Sequence, residues 1–343
     1  MSKPRITVGV MTYNRTALLR EAVRSILNQS FTNFELVVSN DNPDVNITLC
    51  SLGINPDPRV RIVNQSVNLG VLDNMDFLLD AAAGEWFIWL SEDDLFHPDY
   101  LRFALDTVLH SDFDNPVGCF SNYLSAESPE NLFPPVTRSS LLVVNSNQIG
   151  LRNFLHNYTL RRYPSVGECG LFKSEVLRRI GGMPRLGSGP GHFSDTLLPL
   201  LLLEHGSIYW TDYPFVFYRA DQGSISHSSA DLSAYMSAEV DFLHDLEVLC
   251  TKECINISTD KLVANMTKWF STVEWQVLSR CTSVSKGSLF LRFFQIQISV
   301  HLPRLKLRYK VVHLFFILCG ACRLVVNSLR GNFMFCKFRS LWH

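Results

Sequence analysis

Trp86-Phe87-Ile88-Trp89-Leu90-Ser91-Glu92-Asp93-Asp94 is an apolar run of five residues that stops at a serine and three consecutive acids. A short, non-alternating apolar run rich in aromatics describes a strand buried on both faces. In an open α/β sheet, ligand-binding groups gather at the carboxyl end of such a strand. Three adjacent carboxylates repel one another and resist desolvation. A divalent cation relieves both costs, and hard oxygen donors suit Mg2+ or Mn2+. The other reading is a solvated acidic turn capping a helix, since Pro98 predicts a helix start near Asp99.

Working outward from this run, strand and helix patterns alternate. Ile6 to Thr12 reads as a strand. Thr16 to Asn28 follows, with Leu18, Leu19, Ala22, Val23, Ile26 and Leu27 at helical period. Phe34 to Ser39 is a second strand, ending in the turn cluster Asn40-Asp41-Asn42-Pro43-Asp44. Arg59 to Asn64 is a third; Asn68-Leu69-Gly70 then opens a helix that reaches Ala83 and stops at Gly84. Beyond the acids, a helix from about Asp99 to His110 precedes a fifth strand, Val117 to Ser121. Such alternation predicts an α/β fold with a mainly parallel sheet flanked by helices. The polar turns after the first, second and fourth strands then share one rim. Tyr13, Asn14, Arg15 and Asp41 join the acids there, giving an aromatic face, a carboxylate acceptor and a metal-binding cluster, which are the needs of a nucleotide. Neither G-x-G-x-x-G nor a Walker lysine motif is present, which disfavours a dinucleotide dehydrogenase or P-loop NTPase.

Val8-Gly9-Val10-Met11-Thr12-Tyr13-Asn14-Arg15, Ser25-Ile26-Leu27-Asn28-Gln29-Ser30-Phe31-Thr32-Asn33-Phe34-Glu35, Asn68-Leu69-Gly70, Gly84-Glu85-Trp86, Ser91-Glu92-Asp93-Asp94 and His97-Pro98-Asp99-Tyr100-Leu101 form an ordered set. Together they resemble the family-2 glycosyltransferases of the GT-A fold, of the type that builds bacterial cell-surface polysaccharide. The likeness covers roughly residues 4 to 122 and continues more loosely to about Ser226. It implies inverting transfer from a nucleotide-sugar donor, often a UDP-sugar. It places Tyr13, Asn14, Arg15, Asp41, Asn68, Glu92 and Asp93 around the nucleotide: Tyr13 and Asp41 on the base, Glu92 or Asp93 on the ribose. Asp93 and Asp94 would hold Mn2+ or Mg2+. Two departures stand out. Asn40 replaces the first of two acids after the second strand, and Ser91 takes the leading place of the family's Asp-x-Asp.

Further along, Ser125 to Asn147, with Pro129, Pro134 and Pro135, reads as a loop or linker across the sheet edge. Gly167 to Lys173 reads as a short strand, followed by a helix ending at Gly181-Gly182. In His192-Phe193-Ser194-Asp195-Thr196 the resemblance makes Asp195 the general base that takes the acceptor's hydroxyl proton. The bland alternative is a helix start with Ser194 as N-cap and Asp195 near the dipole. Asp221 or His227, beside Ser224-Ile225-Ser226, would serve metal or diphosphate, or belong to a solvated loop.

The chain of 343 residues carries a net charge of −1 that hides an asymmetry: eleven Lys and Arg and no acid lie from Trp275 onward, leaving 20 basic against 32 acidic residues before it. We expect a GT-A domain over residues 1–228 (1–122 on the nucleotide side, 123–228 on the acceptor side). A helical, basic region over 229–343 would follow, whose segment 286–343 lies on an anionic membrane surface. Nucleic acid is disfavoured by the acidic first part. Met1 to Arg5 runs straight into a strand pattern without an export segment, and nine scattered cysteines suit a reducing compartment. A cytoplasmic protein on the cytosolic face of a membrane is therefore expected. Cys319-Gly320-Ala321-Cys322 lies in an apolar run and reads as buried thiols; the Asn-x-Ser/Thr sequons, those at Asn46, Asn64, Asn157, Asn256 and Asn265 among them, read as chance. The function expected is metal-dependent transfer of a sugar to a glycan or lipid-linked acceptor. A nucleotidyltransferase, or a non-catalytic nucleotide-sugar- or membrane-binding protein of the same fold, are the alternatives.

Overall fold

Trp86, Ile88 and Leu90 face one buried cluster and Phe87 and Trp89 the other, all of them at most 2% exposed. The strand they form, β4 (Trp86–Ser91), is thus interior on both faces, as an uninterrupted apolar run requires. The computed structural model describes residues 3–110, 115–126, 141–144, 148–160, 162–163, 167–219, 231–252 and 259–279.

On one side of β4 lie β1 (Ile6–Thr12), β2 (Phe34–Asn40) and β3 (Val60–Asn64), in the order β3-β2-β1-β4 and all parallel. Helices α1 (Thr16–Leu27) and α2 (Val71–Asp80) connect them, and α3 (Tyr100–Leu109) follows β4. The chain leaves β1 toward β2 and β3, then returns to β1's other side as β4. The carboxyl ends of β1 and β4 therefore flank a topological switch point, the crevice where open α/β sheets bind ligands.

Past β4 the sheet changes character. β8 (Leu171–Lys173) enters antiparallel between β4 and β6 (Pro116–Ala126). β9 (Ser207–Arg219) runs parallel to β6 with register shifts that admit Pro214, a residue unable to donate to a ladder. Its partners include two strands absent from the sequence reading, β5 (Leu95–Phe96) and β7 (Leu141–Val144), both antiparallel. The span 125–147, expected to be a loop across the sheet edge, is corrected accordingly: Ser125 and Ala126 continue β6, and Leu141 to Val144 add a strand.

Helix α4 (Gln148–Thr159), α5 (Ser174–Arg179) and α6 (Ser194–Leu202) complete the half expected to form the acceptor side. Next come α7 (Leu232–Lys252) and α8 (Thr259–Ser279), helices expected to open a separate C-terminal region. Phe242, Leu246, Met266 and Phe270 from these two helices share one buried cluster with Phe87, Trp89 and Phe172 of the sheet. Among the described residues no helix is long and apolar enough to cross a membrane. The basic segment 286–343 lies outside the described residues.

Candidate active site

At the crevice, Glu92 organises the turn that leaves β1. Helix α1 has no side-chain cap of its own, and the N–H groups of the turn that leads into it need an outside acceptor. Glu92 supplies it: Oε2 accepts from the Thr12 hydroxyl, from Tyr13 N (3.1 Å) and from Arg15 N (3.4 Å). Its Oε1 accepts from Arg15 Nε at 2.8 Å. The same guanidinium donates to Asp93 Oδ2 at 2.7 Å. Burial alone would lower the Arg15 pKa, but Glu92 and Asp93 outweigh it and raise the value above the ordinary one.

A second arginine closes the other side. Arg219, at the end of β9, gives its backbone N–H to Asp94 Oδ1 (3.0 Å), its Nε to the Asp93 carbonyl (3.0 Å) and Nη2 to Glu21 (2.6 Å). Glu92, Asp93 and Asp94 are 5%, 6% and 1% exposed. Their mutual repulsion is thus met by the Arg15 guanidinium on Glu92 and Asp93, while Arg219 braces the turn through the Asp93 carbonyl and the Asp94 carboxylate, an arrangement that the expectation of a metal ion did not contain. Arg219 was missed because nothing local marks a partner that the fold brings from 125 residues away.

The turn after β2 is equally well tied. Asp41 Oδ1 accepts from Leu69 N at 2.7 Å and Oδ2 from Gly70 N at 2.9 Å, which fixes the entry to α2. Asn68 is exposed beside it, its side-chain oxygen accepting from Gly70 N. Asn14 and Asn42 join their side-chain amides across the ends of β1 and β2. Tyr13, at 45% exposure, presents its ring at the rim. Asn40, the departure from the family acid, is fully buried and donates Nδ2 to the carbonyls of Asn42 and Val45 and to Asn64 Oδ1. A carboxylate there would face three acceptors and donate to none.

Asp195 is positioned by a different part of the chain. From α5 the chain runs back along α2: Arg178 donates to the Leu79 and Ala82 carbonyls, Arg185 to Asp73 and Asp76, and Gly191 abuts Leu72. That path brings Gly191, three residues before α6, against Leu72 in the first turn of α2. Asp195, half-buried, lies in the first turn of α6. The capping alternative for Ser194 is not the observed geometry. The N-cap is Phe193, left-handed at φ 62°, with no side-chain cap hydrogen bond. A non-glycine residue in that conformation costs on the order of 1–3 kcal/mol and persists where neighbours over-determine it. Here they do: the Phe193 ring packs against Tyr235, Trp269 and Phe270 of α7 and α8. A single 3-10 turn, Gly167–Cys169, presses from the other side, where a Cβ on Gly167 would lie 1.9 Å from the Asp195 carbonyl.

Two polar atoms in this turn, His192 Nε2 and Ser194 Oγ, are buried with no partner among the described residues. The His192 ring stacks on Tyr235 at 3.6 Å between centroids. Burial lowers its pKa, with Asp231 opposing. His97, from the last of the six motifs, is structural: it packs edge-on to Tyr213 and Phe215, and its Nδ1 accepts from Asp99 N. Asp221 and His227 lie outside the described residues.

No group of three or more His, Cys, Asp or Glu able to hold a metal is assembled among the described residues. A divalent ion shared with a ligand's phosphates needs only one or two carboxylates from the protein. Asp93 fits that demand, since a cationic group, the Arg15 guanidinium, already sits 2.7 Å from its oxygen. Asp94 is its sequence neighbour, with Oδ1 turned to Arg219.

Residues 7–163 match the family described as Glycosyl transferase family 2. The GalNAc(5)-diNAcBac-PP-undecaprenol beta-1,3-glucosyltransferase of Campylobacter jejuni is 33% identical over 123 residues, 35% of this chain and 38% of that protein. The succinoglycan biosynthesis protein ExoO of Rhizobium meliloti is 28% identical over 177 residues, 46% and 51% of the two chains. The matches thus span between a third and about half of these relatives. Among solved structures, Staphylococcus aureus TarS residues 1–349 in complex with UDP-GlcNAc align with a TM-score of 0.52 at 14% identity, over 91% of this chain and 80% of that one. This likeness shows the fold, a mixed α/β architecture of the GT-A type.

Proposed function

We propose that this chain, which carries a glycosyltransferase family 2 domain over residues 7–163, moves a sugar with inversion from a UDP-sugar to a glycan or lipid-linked acceptor in surface-polysaccharide synthesis. The observation that carries the reading is the switch-point crevice, where a braced acid cluster and an exposed tyrosine ring share one rim. Tyr13 would stack on the base and Asp41 accept from it, using the lone pairs that Leu69 and Gly70 leave open. Asn14 and Asn68 would frame the nucleotide, and Glu92, through the turn it holds, would set where Tyr13 and Arg15 stand. Asp93, with Asp94, would hold Mn2+ or Mg2+. When bound, that ion neutralises charge on the departing diphosphate. Asp195 would accept the acceptor's hydroxyl proton, held in place by the turn that Phe193 and Gly167 constrain.

The choice of UDP follows the UDP-GlcNAc bound by TarS, and the lipid-linked acceptor follows the name of the Campylobacter relative. The basic, apolar segment 286–343 supports the same acceptor class by suiting an anionic membrane surface. A panel of nucleotide-sugars offered with undecaprenyl-diphosphate-linked glycans, read by release of nucleoside diphosphate, tests the reaction. Asp195→Asn should lower kcat by about 10²–10⁴ with little change in donor affinity. Release from no donor, or an Asp195→Asn variant as active as the wild type, would sink the assignment.

A further inference from the structure

The cation already at Asp93 belongs to the protein, and any ion or nucleotide that arrives there must contend with it. Arg15 spans two buried acids, with Nε 2.8 Å from Glu92 and Nη1 2.7 Å from Asp93. The two acids depend on it unequally. Glu92 has three further donors, the Thr12 hydroxyl and the N–H groups of Tyr13 and Arg15. The Asp93 carboxylate, among the described residues, has Arg15. Moving the guanidinium away would leave Glu92 satisfied and Asp93 bare. The Arg15 side chain is also 30% exposed, against 6–7% for the acids, so it is the member of the trio with room to move.

We infer that Arg15 is a resident counter-cation at Asp93, exchanged for a divalent ion when a nucleoside diphosphate binds. This inference rests on the donor-site reading above. A divalent ion at Asp93 with the guanidinium still in place sets two cations against one carboxylate, and like charges at such range disfavour it. The diphosphate removes the conflict. Its oxygens match the planar fork of a guanidinium, so Arg15 gains a partner as it releases Asp93. The exchange makes ion and diphosphate bind cooperatively, each weakly alone and tightly together, and the coupling is reciprocal. Arg219 does not take part: it holds the Asp93 carbonyl and Asp94 from the β9 side and leaves the Asp93 carboxylate to Arg15.

Mn2+ titration of the full chain, followed by electron paramagnetic resonance of free Mn2+ with and without UDP, reads this directly. Arg15→Gln removes the charge and keeps an amide donor for Glu92; Arg15→Lys keeps the charge. Without UDP, Arg15→Gln should bind Mn2+ about fivefold to tenfold more tightly than wild type, while Arg15→Lys stays within about twofold of it. With UDP the advantage should vanish, so the factor by which UDP tightens Mn2+ shrinks in Arg15→Gln. Mn2+ affinity in Arg15→Gln that is unchanged or weaker without UDP would overturn the inference, as would an equal gain in Arg15→Lys. In those cases cooperative binding by wild type leaves the transferase reading standing. Wild type binding neither Mn2+ nor UDP in any combination overturns both. Should Arg15→Gln unfold, an Arg15→Lys protein whose UDP coupling matches wild type sustains the inference and one that has lost it does not.

Discussion

The nucleotide side and the turn carrying Asp195 are built to different standards. On the nucleotide side three buried polar side chains tie the turns together: Glu92 takes four hydrogen bonds, Asp41 commits both oxygens to backbone N–H groups, and Asn40 donates to three acceptors. On the acceptor side, the turn carrying Asp195 holds a left-handed phenylalanine and two buried polar atoms without partners among the described residues. An unmet buried polar group costs about 1–3 kcal/mol, so the turn carrying Asp195 bears a penalty that the Glu92, Asp41 and Asn40 side chains do not. The contrast implies a donor site preorganised by its own network and an acceptor turn held in place by packing from α7 and α8.

Substitutions can break this contrast. The largest expected loss is Glu92→Ala, which strands the N–H groups of Tyr13 and Arg15 and removes one of the carboxylates that hold the Arg15 guanidinium. Denaturant unfolding should show a loss of about 3 kcal/mol, and a loss below half that would mean the network adds little. Asn40→Asp, which restores the family's acid, should cost about 2 kcal/mol because the new carboxylate faces three acceptors; a neutral result would contradict the assigned hydrogen bonds. On the acceptor side the sign reverses. Ser194→Ala removes a buried hydroxyl that has no partner among the described residues and should leave stability unchanged or raise it by about 0.5–1 kcal/mol, whereas a clear loss would show that the hydroxyl is satisfied.

The smallest effect is pH-dependent. Burial is the main cause that lowers the pKa of His97, His156 and His192. The unfolded chain then binds protons that the folded chain rejects. Stability should be complete above about pH 6.5 and fall as pH drops below it. His192→Phe should flatten part of that slope in a thermal-melt series; an unaltered slope would place the titration at His97 and His156.

Legibility in the sequence followed contiguity. β1 is legible to the residue, and β4 and α3 to within one, because parallel interior strands and amphipathic helices write long, regular patterns. β5 is two residues long, β7 lies in a span full of prolines, and β9 carries Pro214 at a register shift, so none offers a period to follow. The rim residues are legible as local motifs. Their partners are not: the role of Gln29, whose amide ties α1 to the carbonyl of His97 and the N–H of Leu101, emerges only once α1 and α3 meet. The same holds for Arg219 at the acids, and for the aromatic brace of α7 and α8 behind Phe193.

The central claim is that the crevice between β1 and β4 binds a nucleoside diphosphate through Asp93 and a divalent ion. Calorimetric titration of UDP into wild type and Asp93→Asn, each with Mn2+ and with chelator, tests it most directly. Wild type should bind UDP only with Mn2+, and that binding should weaken by at least about tenfold in Asp93→Asn. Equal UDP affinity with chelator and with Mn2+, or in both proteins, would contradict it.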